Sequence, residues 1–359
     1  MSTTVARLSS NGVYFTNAYF NTYFDEVTKT KNSISLTAVY SAGFDEVSLQ
    51  GIGYGLAKRE TNDGRILIPG YFDEVTGITN FNVSYLIVAG GGSGGAAIFG
   101  GGGGGAGGVV FGNVGLTSGI TYTAIVGSGG VGITYTNQYG VDGNSGGNSV
   151  LSGANTILAI ASGGGFGAGS GSVNGGNGGS GGGGGGTTVS GTAGGLSTLN
   201  QGCSGGLGTA SPNGGGGGGG YSTPGQASVD AGGNASGGNG YTSNITGTSK
   251  IYAAGGGGGG SYASGGGGSG ISALSGGYYL SPSTFSAPNN TGHGSGGAFG
   301  IGSSSGNGGS GVVIISFPTI NYPGDSNINN NTGYGTIWTK TINGNNTVIT
   351  FLQTGTFIC

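Results

Sequence analysis

Five stretches of this chain are nothing but glycine: residues 100–105, 181–186, 214–220, 255–260 and 265–268. Few features narrow the possible folds so far. Glycine costs about 1 kcal/mol against alanine in a helix and brings no side chain to a sheet. Pure glycine therefore gains nothing from either regular structure. A third conformation remains, the polyproline II helix, with three residues per turn, a rise of about 3.1 Å and no internal hydrogen bonds. Its N–H and C=O groups all point outward. Without Cβ atoms, neighbouring segments can approach closely enough to pair them.

At that rise a run of six or seven residues is about 19–22 Å long. The runs have similar lengths, as parallel rods of one bundle would. Ordering a residue costs roughly 1–2 kcal/mol, and each backbone hydrogen bond returns roughly 0.5–1.5 kcal/mol net. Isolated runs should be floppy, and only dense mutual bonding makes them rigid. Collagen is excluded, because it needs glycine at every third position with proline between, whereas this chain has 7 prolines and its glycines come in blocks. A flexible Gly/Ser linker is the remaining alternative. Apolar, strand-like segments at both ends argue against it: Tyr85–Ala89 runs into Gly90, and Gly311 leads into Val312–Phe317. Val109–Phe111, Thr121–Val126 and Thr156–Ile160 have the same character, and residues 319–359 return to alternating β-type sequence with Ile337, Trp338, Val348, Ile349 and Phe351.

Charge divides the chain. Residues 1–80 hold eight of the 11 acidic and six of the eight basic residues, which places a domain boundary near residue 80. The expected organisation is an N-terminal β-repeat region (1–80), a glycine-rich body (81–318) and a C-terminal β segment (319–359). The first region repeats Phe-Asp-Glu-Val at 24–27, 44–47 and 72–75. Units this short cannot bury a core alone, so stacking, pairing or oligomerisation must hide their aromatic residues. The Asp-Glu pairs are expected as solvated turns between strands. The expected fold class is mostly β and irregular, with short strands flanking packed polyglycine II helices and almost no α-helix.

Chemistry is sparse. His293 is the single histidine, has no acidic or thiol neighbour in sequence, and is expected in an exposed loop. Cys203 and Cys359 form no disulfide framework or metal motif. Val141–Asn144 resembles a calcium-binding turn only faintly, and a plain turn is expected there. Matches to G-x-G-x-x-G carry no information in so glycine-rich a chain, and no phosphate-loop lysine follows any of them. Asn82, Asn234 and Asn244 stand in Asn-x-Ser/Thr triplets that mean little without a secretory signal. We expect no enzyme, no cofactor and no metal. A net charge of −3 gives no footprint for nucleic acid or acidic lipid, and no apolar run could span a bilayer. The start lacks a signal-peptide core, which fits synthesis in a cytoplasm and release by lysis.

The order YLIVAGGGSGG, GGGGGAGGVV, YTAIVGSGGVG, GNSGGNSVL with ILAIASGGG, and GGSGVVIISF resembles the glycine-rich domain of bacteriophage tail fibre and adhesin proteins. The N-terminal repeats are similar to segments of marine and cyanobacterial phage structural proteins. The closing NNTVITFLQTGTF is similar to a β segment that in such proteins commonly precedes the glycine body; here it follows. The resemblance implies a sandwich of polyglycine II helices at a fibre tip, with loops between helices touching the bacterial surface. The corresponding receptor-contact residues would be Tyr221, Tyr241, Tyr262, Tyr278, Tyr279 and Phe285; the alternative is that these tyrosines cover the outside of the bundle. It further implies location on the virion and attachment to other virion proteins through the N-terminal region. The implied target is a host surface glycan or outer-membrane protein, and the implied state a homo-oligomer, by preference a trimer. A head decoration or fibre shaft without receptor binding is the second reading. A polyglycine antifreeze or wall protein is the third; it should show a flat face of Thr or Ala at fixed period and a signal peptide.

Overall fold

The computed structural model describes two units, 1–79 and 80–359. In the first it describes the backbone of seven strands. In the second it describes residues 80–359 apart from 137–139, 170–173, 188–190, 211–213, 230–234, 262, 278–282 and 331–336. The described residues are mostly β and irregular, and no α-helix occurs among them beyond short 3-10 turns.

The N-terminal strands are β1 (Arg7–Ser10), β2 (Val13–Tyr14), β3 (Phe24–Thr30), β4 (Ser33–Ala38), β5 (Phe44–Gln50), β6 (Gly53–Thr61) and β7 (Gly64–Asp73). They form one antiparallel sheet in the order β2-β1-β7-β6-β5-β4-β3. This corrects the expectation that Phe-Asp-Glu-Val forms turns. The first two copies open strands β3 and β5. Both shift register at the same place, between Phe24 and Glu26 and between Phe44 and Glu46. The aspartate is the extra residue of a β-bulge, so the strand absorbs it without breaking. The third copy ends β7 with Phe72 and Asp73; Glu74 and Val75 lie outside the described residues.

The second unit contains β8 (Asn80–Val88), β9 (Ala96–Ala97), β10 (Val109–Thr117), β11 (Thr121–Ile125), β12 (Ser149–Gly153), β13 (Thr156–Ala161), β14 (Tyr241–Ser243), β15 (Lys250–Tyr252), β16 (Ala298–Phe299), β17 (Val312–Pro318), β18 (Ile328–Asn330), β19 (Trp338–Asn343), β20 (Asn346–Phe351) and β21 (Gly355–Ile358). Ten of these make two five-stranded sheets, β10-β8-β17-β20-β19 and β13-β12-β11-β21-β18. Alternation along the strands explains how they pack. Val83, Ile87, Val313, Ile315, Ile349 and Phe351 of the first sheet meet Tyr122, Ala124, Leu151, Ile328 and Phe357 of the second in one buried core. The intervening residues Leu86, Val88, Val312, Ile314 and Val348 face the other way and pack against Ala106, Tyr252 and Ala253 of the glycine body. Where it meets the body the first sheet is thus apolar on both faces, which is why Tyr85–Val88 and Val312–Ile315 read as continuous apolar runs. Residues 319–359 supply β18–β21 and complete both sheets.

Strands pass straight into glycine segments: β8 into 89–95, β13 into 162–168, and 101–108 into β10. Within a segment the hydrogen-bond partner changes with a period of three residues. Gly101 and Gly104 donate to Ala298 and Ser295, Gly102 and Gly105 to Ala168 and Gly165, and Gly103 and Ala106 to Gly216 and Gly219. The carbonyls of the same segment accept from Gly92 and Gly95, from Ser180 and Gly183, and from Gly256 and Gly259. One segment is therefore bonded on six sides. Gly255–Gly260 repeats the pattern, donating to 235–238, 101–104 and 274–277 and accepting from 215–218, 265–268 and 294–297. Solvent exposure follows the same period at the periphery: Ile125, Ser128, Val131 and Thr134 are exposed, while Ala124, Gly127 and Gly130 are buried.

Close approach explains the residue type. A Cβ added at Gly103 would lie 2.1 Å from the Gly256 carbonyl oxygen, and one at Gly183 would lie 2.0 Å from that of Gly216. At the rim, where no further segment offers a carbonyl, side chains supply the acceptor. Asn177 Oδ1 accepts the Leu196 N–H at 2.7 Å, Asn148 Oδ1 that of Gly163 at 2.8 Å, and Asn307 Oδ1 that of Gly132 at 2.7 Å. Residues 141–144, expected as a plain turn, instead form an extended segment bonded to Ala96, Gly167 and Ser93, and its Asp142 does the same, accepting from Gly169 at 2.6 Å.

Candidate functional site

The levels at which segments bond show where their ends lie. Gly95 bonds to Gly102, Gly102 to Ala168, Ala168 to Gly183, Gly101 to Ala298, Gly259 to Gly101 and Gly215 to Gly259. These residues share one level at the end of the body farthest from the sheets. Because successive segments run in opposite directions, the segment ends at Ala97, Tyr135, Gly169, Gly186, Thr209, Val229, Gly260, Gly277 and Ala298 all lie there. The stretches of sequence that follow them are rich in Tyr, Ser, Thr, Asn and Gly. Of the described residues Ile98, Phe99 and Ile301 belong to this end, and Ile301 is 68% exposed.

The proposed contact residues are not all at this end. Tyr221 and Tyr241 lie beside the first sheet: Tyr241 stacks on Phe111 at 5.0 Å and meets Tyr221 edge-on at 5.1 Å. Both pack against the apolar layer between sheet and body, which is the covering role weighed above. Phe285 is 76% exposed on a peripheral segment whose neighbour Thr284 bonds to Ser304. Tyr262, Tyr278 and Tyr279 lie outside the described residues, but the segments leading to them, 255–260 and 274–277, end at the far level. Reading from sequence missed Phe111 and Ile301, since an aromatic in a strand and an isoleucine between glycines carry no signal of exposure.

His293 corrects another expectation. It is 3% exposed, not in an exposed loop, and its Nδ1 accepts the Ala254 N–H at 2.9 Å. The segment 292–298 is interior, so its one large side chain is enclosed by segments on either side. Burial, and secondarily the charge of Lys250, lowers its pKa from 6.5 to about 4. The folded protein keeps the imidazole neutral, whereas the unfolded chain takes up a proton below pH about 6.5. Stability is therefore unaffected by this group above pH 6.5 and falls as the pH drops toward 4. Because the chain has one histidine, most of the loss between pH 6.5 and 5, about 1–2 kcal/mol, should trace to it. Chemical denaturation across that range should show the slope in the parent and not in His293→Gln.

Other titratable groups are structural. Lys340 Nζ bonds both carboxylate oxygens of Asp325, at 2.7 and 2.6 Å, and Asp325 also accepts from the Tyr322 hydroxyl. Lys340 first, then Tyr322, holds the exposed Asp325 carboxyl below its ordinary range. Burial raises the pKa of the Cys359 thiol to about 12 and also raises that of Cys203, so both are poor nucleophiles at neutral pH. Among the described residues no group of His, Cys, Asp or Glu could hold a metal ion, and no helix is long and apolar enough to cross a membrane. What the arrangement offers is a stiff body presenting loops, with neutral clefts along its flanks.

No curated protein and no solved structure matches the chain. The family model of the glycine-rich domain matches residues 74–318, well over half the chain and the whole of the hydrogen-bonded body. By that match the chain belongs to the glycine-rich domain family.

Proposed function

We propose that this protein is a structural and adhesive fibre protein of a bacteriophage particle, and that it binds the host cell surface through the far-end loops of its glycine-rich body. The observation that carries this reading is the convergence of so many segment ends at one end of a laterally bonded body. Loops held by a rigid scaffold are where binding residues concentrate. Tyr, Ser, Gly and Asn are the composition of adaptable recognition loops, because tyrosine gives broad contact at low entropic cost. Tyr262, Tyr278 and Tyr279 belong to this surface in the reading; Tyr221 and Tyr241 do not.

The glycine segments are, in this account, polyglycine II helices. The three-residue alternation of partners supports it, since a threefold helix turns its N–H groups 120° per residue. The N-terminal repeat sheet attaches the protein to other virion proteins and builds the oligomer, by preference a trimer. The chain performs no catalysis. A head decoration or fibre shaft without receptor binding is the alternative, favoured by the covering role of Tyr221 and Tyr241.

Antibodies against the purified chain provide the test. They should label particles of a phage encoding it at fibre tips and block adsorption to cells. Labelling of the capsid or shaft with unimpaired adsorption would select the scaffold. Absence from purified particles would end the virion reading.

A further inference from the structure

The face of the first sheet that is turned toward the glycine body is only partly covered. The β14–β15 hairpin crosses it, with Asn343 donating to the carbonyls of Asn244 and Ile245 and Thr341 to that of Thr246. On the side of edge strand β10 it leaves a cleft of about 260 Å³ lined by Ser84, Phe111, Asn113, Tyr241, Ser243 and Ile245 among others. We propose that this cleft is a binding subsite for a neutral saccharide. The proposal goes beyond the far-end loops and rests on the adhesive reading only for the source of its ligand.

Three observations carry it. First, the wall is aromatic and open. Phe111 is 50% exposed although it sits mid-strand, and its ring is held parallel to Tyr241, with an interplanar angle of 12°. Tyr221 braces Tyr241 from the side. A ring pair that served only to cover the sheet would be buried; here an orientated ring meets solvent. Ring faces of this kind suit the apolar faces of sugars, and fixing them beforehand lowers the cost of binding.

Second, the floor carries free hydrogen-bonding capacity. Register places Ser84 opposite Asn113 and Asn82 opposite Gly115 on this face. Ser84 Oγ donates to Asn113 Oδ1 at 2.7 Å, which leaves the two Nδ2 hydrogens of this exposed amide as donors available to a ligand.

Third, no charged side chain lines the cleft. Lys250, paired with Ser243 across the hairpin, is engaged elsewhere: its Nζ donates to the Asn290 carbonyl at 3.3 Å and lies over the Tyr252 ring. A carboxylated sugar would find no counter-charge. Neutral hydroxyls would find an amide donor, hydroxyl acceptors and an aromatic wall, the mixture of few polar groups and apolar surface that defines small-ligand sites.

The test is titration of the full chain with maltotriose, cellotriose, lactose and chitotriose, with sialyllactose as the charged counterpart, followed by calorimetry or tyrosine fluorescence. At least one neutral sugar should bind. Phe111→Ala should weaken it about tenfold or more, Asn113→Ala severalfold, and Phe111→Tyr by less than about threefold. Melting temperatures should stay near the parent's, since both residues are exposed. Ile320→Ser, exposed and outside both the cleft and the far end, should leave sugar affinity unchanged. Binding of none of the sugars at roughly 10 mM, affinity indifferent to Phe111→Ala and Asn113→Ala, or sialyllactose bound as tightly as lactose would each overturn the proposal. Sugar failure with intact cell adhesion removes this subsite and leaves the far-end reading standing; the converse result removes the far-end reading alone.

Discussion

Gly217→Val is expected to destabilise the body by about 3–5 kcal/mol or more, while Gly266→Ala, in a neighbouring glycine run, is expected to cost less than about 0.5 kcal/mol. The difference lies in what surrounds each position. A Cβ at Gly217 would sit 2.1 Å from the Ser236 carbonyl oxygen and 2.6 Å from its carbon. That carbonyl is itself the acceptor for Gln226, and Gly217 donates to Gln226 and accepts from Gly206. The obstacle is backbone in three bonded segments, which has no rotamer to retreat to. Gly266 is exposed, and its added Cβ would meet only Ser236 Oγ at 3.5 Å. There alanine lowers the entropy of the unfolded chain without a clash, which offsets the cost of the change. Thermal denaturation checks both. A drop of roughly 10 °C for the first and under about 2 °C for the second is the expected pair. Equal effects would mean that composition, and not packing, sets the requirement for glycine.

The second large effect belongs to the other end of the unit. Phe357→Ala should cost about 3–5 kcal/mol, and Phe357→Leu under about 2 kcal/mol. Phe357 is two residues from the last, yet its ring lies 5.9 Å from Phe317 and from Phe351 and 5.4 Å from Tyr122. Its strand β21 is bonded between β11 and β18, so it is interior to the second sheet. The cavity left by alanine would open in the layer that joins both sheets. Because β8, β11 and β13 continue into glycine segments, loosening the sheets also frees one end of those segments. Equilibrium unfolding of the two variants measures this, and a loss below about 1 kcal/mol for alanine would mean that β21 is dispensable.

Some of this organisation was readable from residues alone. Tyr85–Ala89, Val109–Phe111, Thr121–Val126, Thr156–Ile160 and Val312–Phe317 coincide with β8, β10, β11, β13 and β17, because apolar β-branched runs bounded by glycine leave little choice. Register within the body was not readable. Gly103 donates to Gly216 and accepts from Gly183, both 80 or more residues farther along the chain, and glycines carry no side chains to distinguish one pairing from another. His293 was misplaced for the same reason: its Thr-Gly-His-Gly-Ser context looks like a loop, and only neighbouring segments make it interior. Tyr221 and Tyr241 look like loop aromatics, yet the short β14–β15 hairpin lays Tyr241 on Phe111 of β10, a strand distant in sequence. The rim asparagines, by contrast, carried a signal that was overlooked: Asn174 and Asn177 stand three residues apart and accept from Ala193 and Leu196, themselves three apart. Hydrogen-bond partners that recur every third residue, with one side facing solvent, call for that spacing.

Site-resolved amide hydrogen exchange of the intact chain tests the lateral bonding of glycine runs most directly. The amides of Gly102–Gly105, Gly183, Gly184, Gly215–Gly218 and Gly255–Gly259 should exchange at least about a thousandfold more slowly than free peptide, on a par with those of β8 and β17. Exchange of these glycines at free-peptide rates while β8 and β17 stay protected would contradict the account.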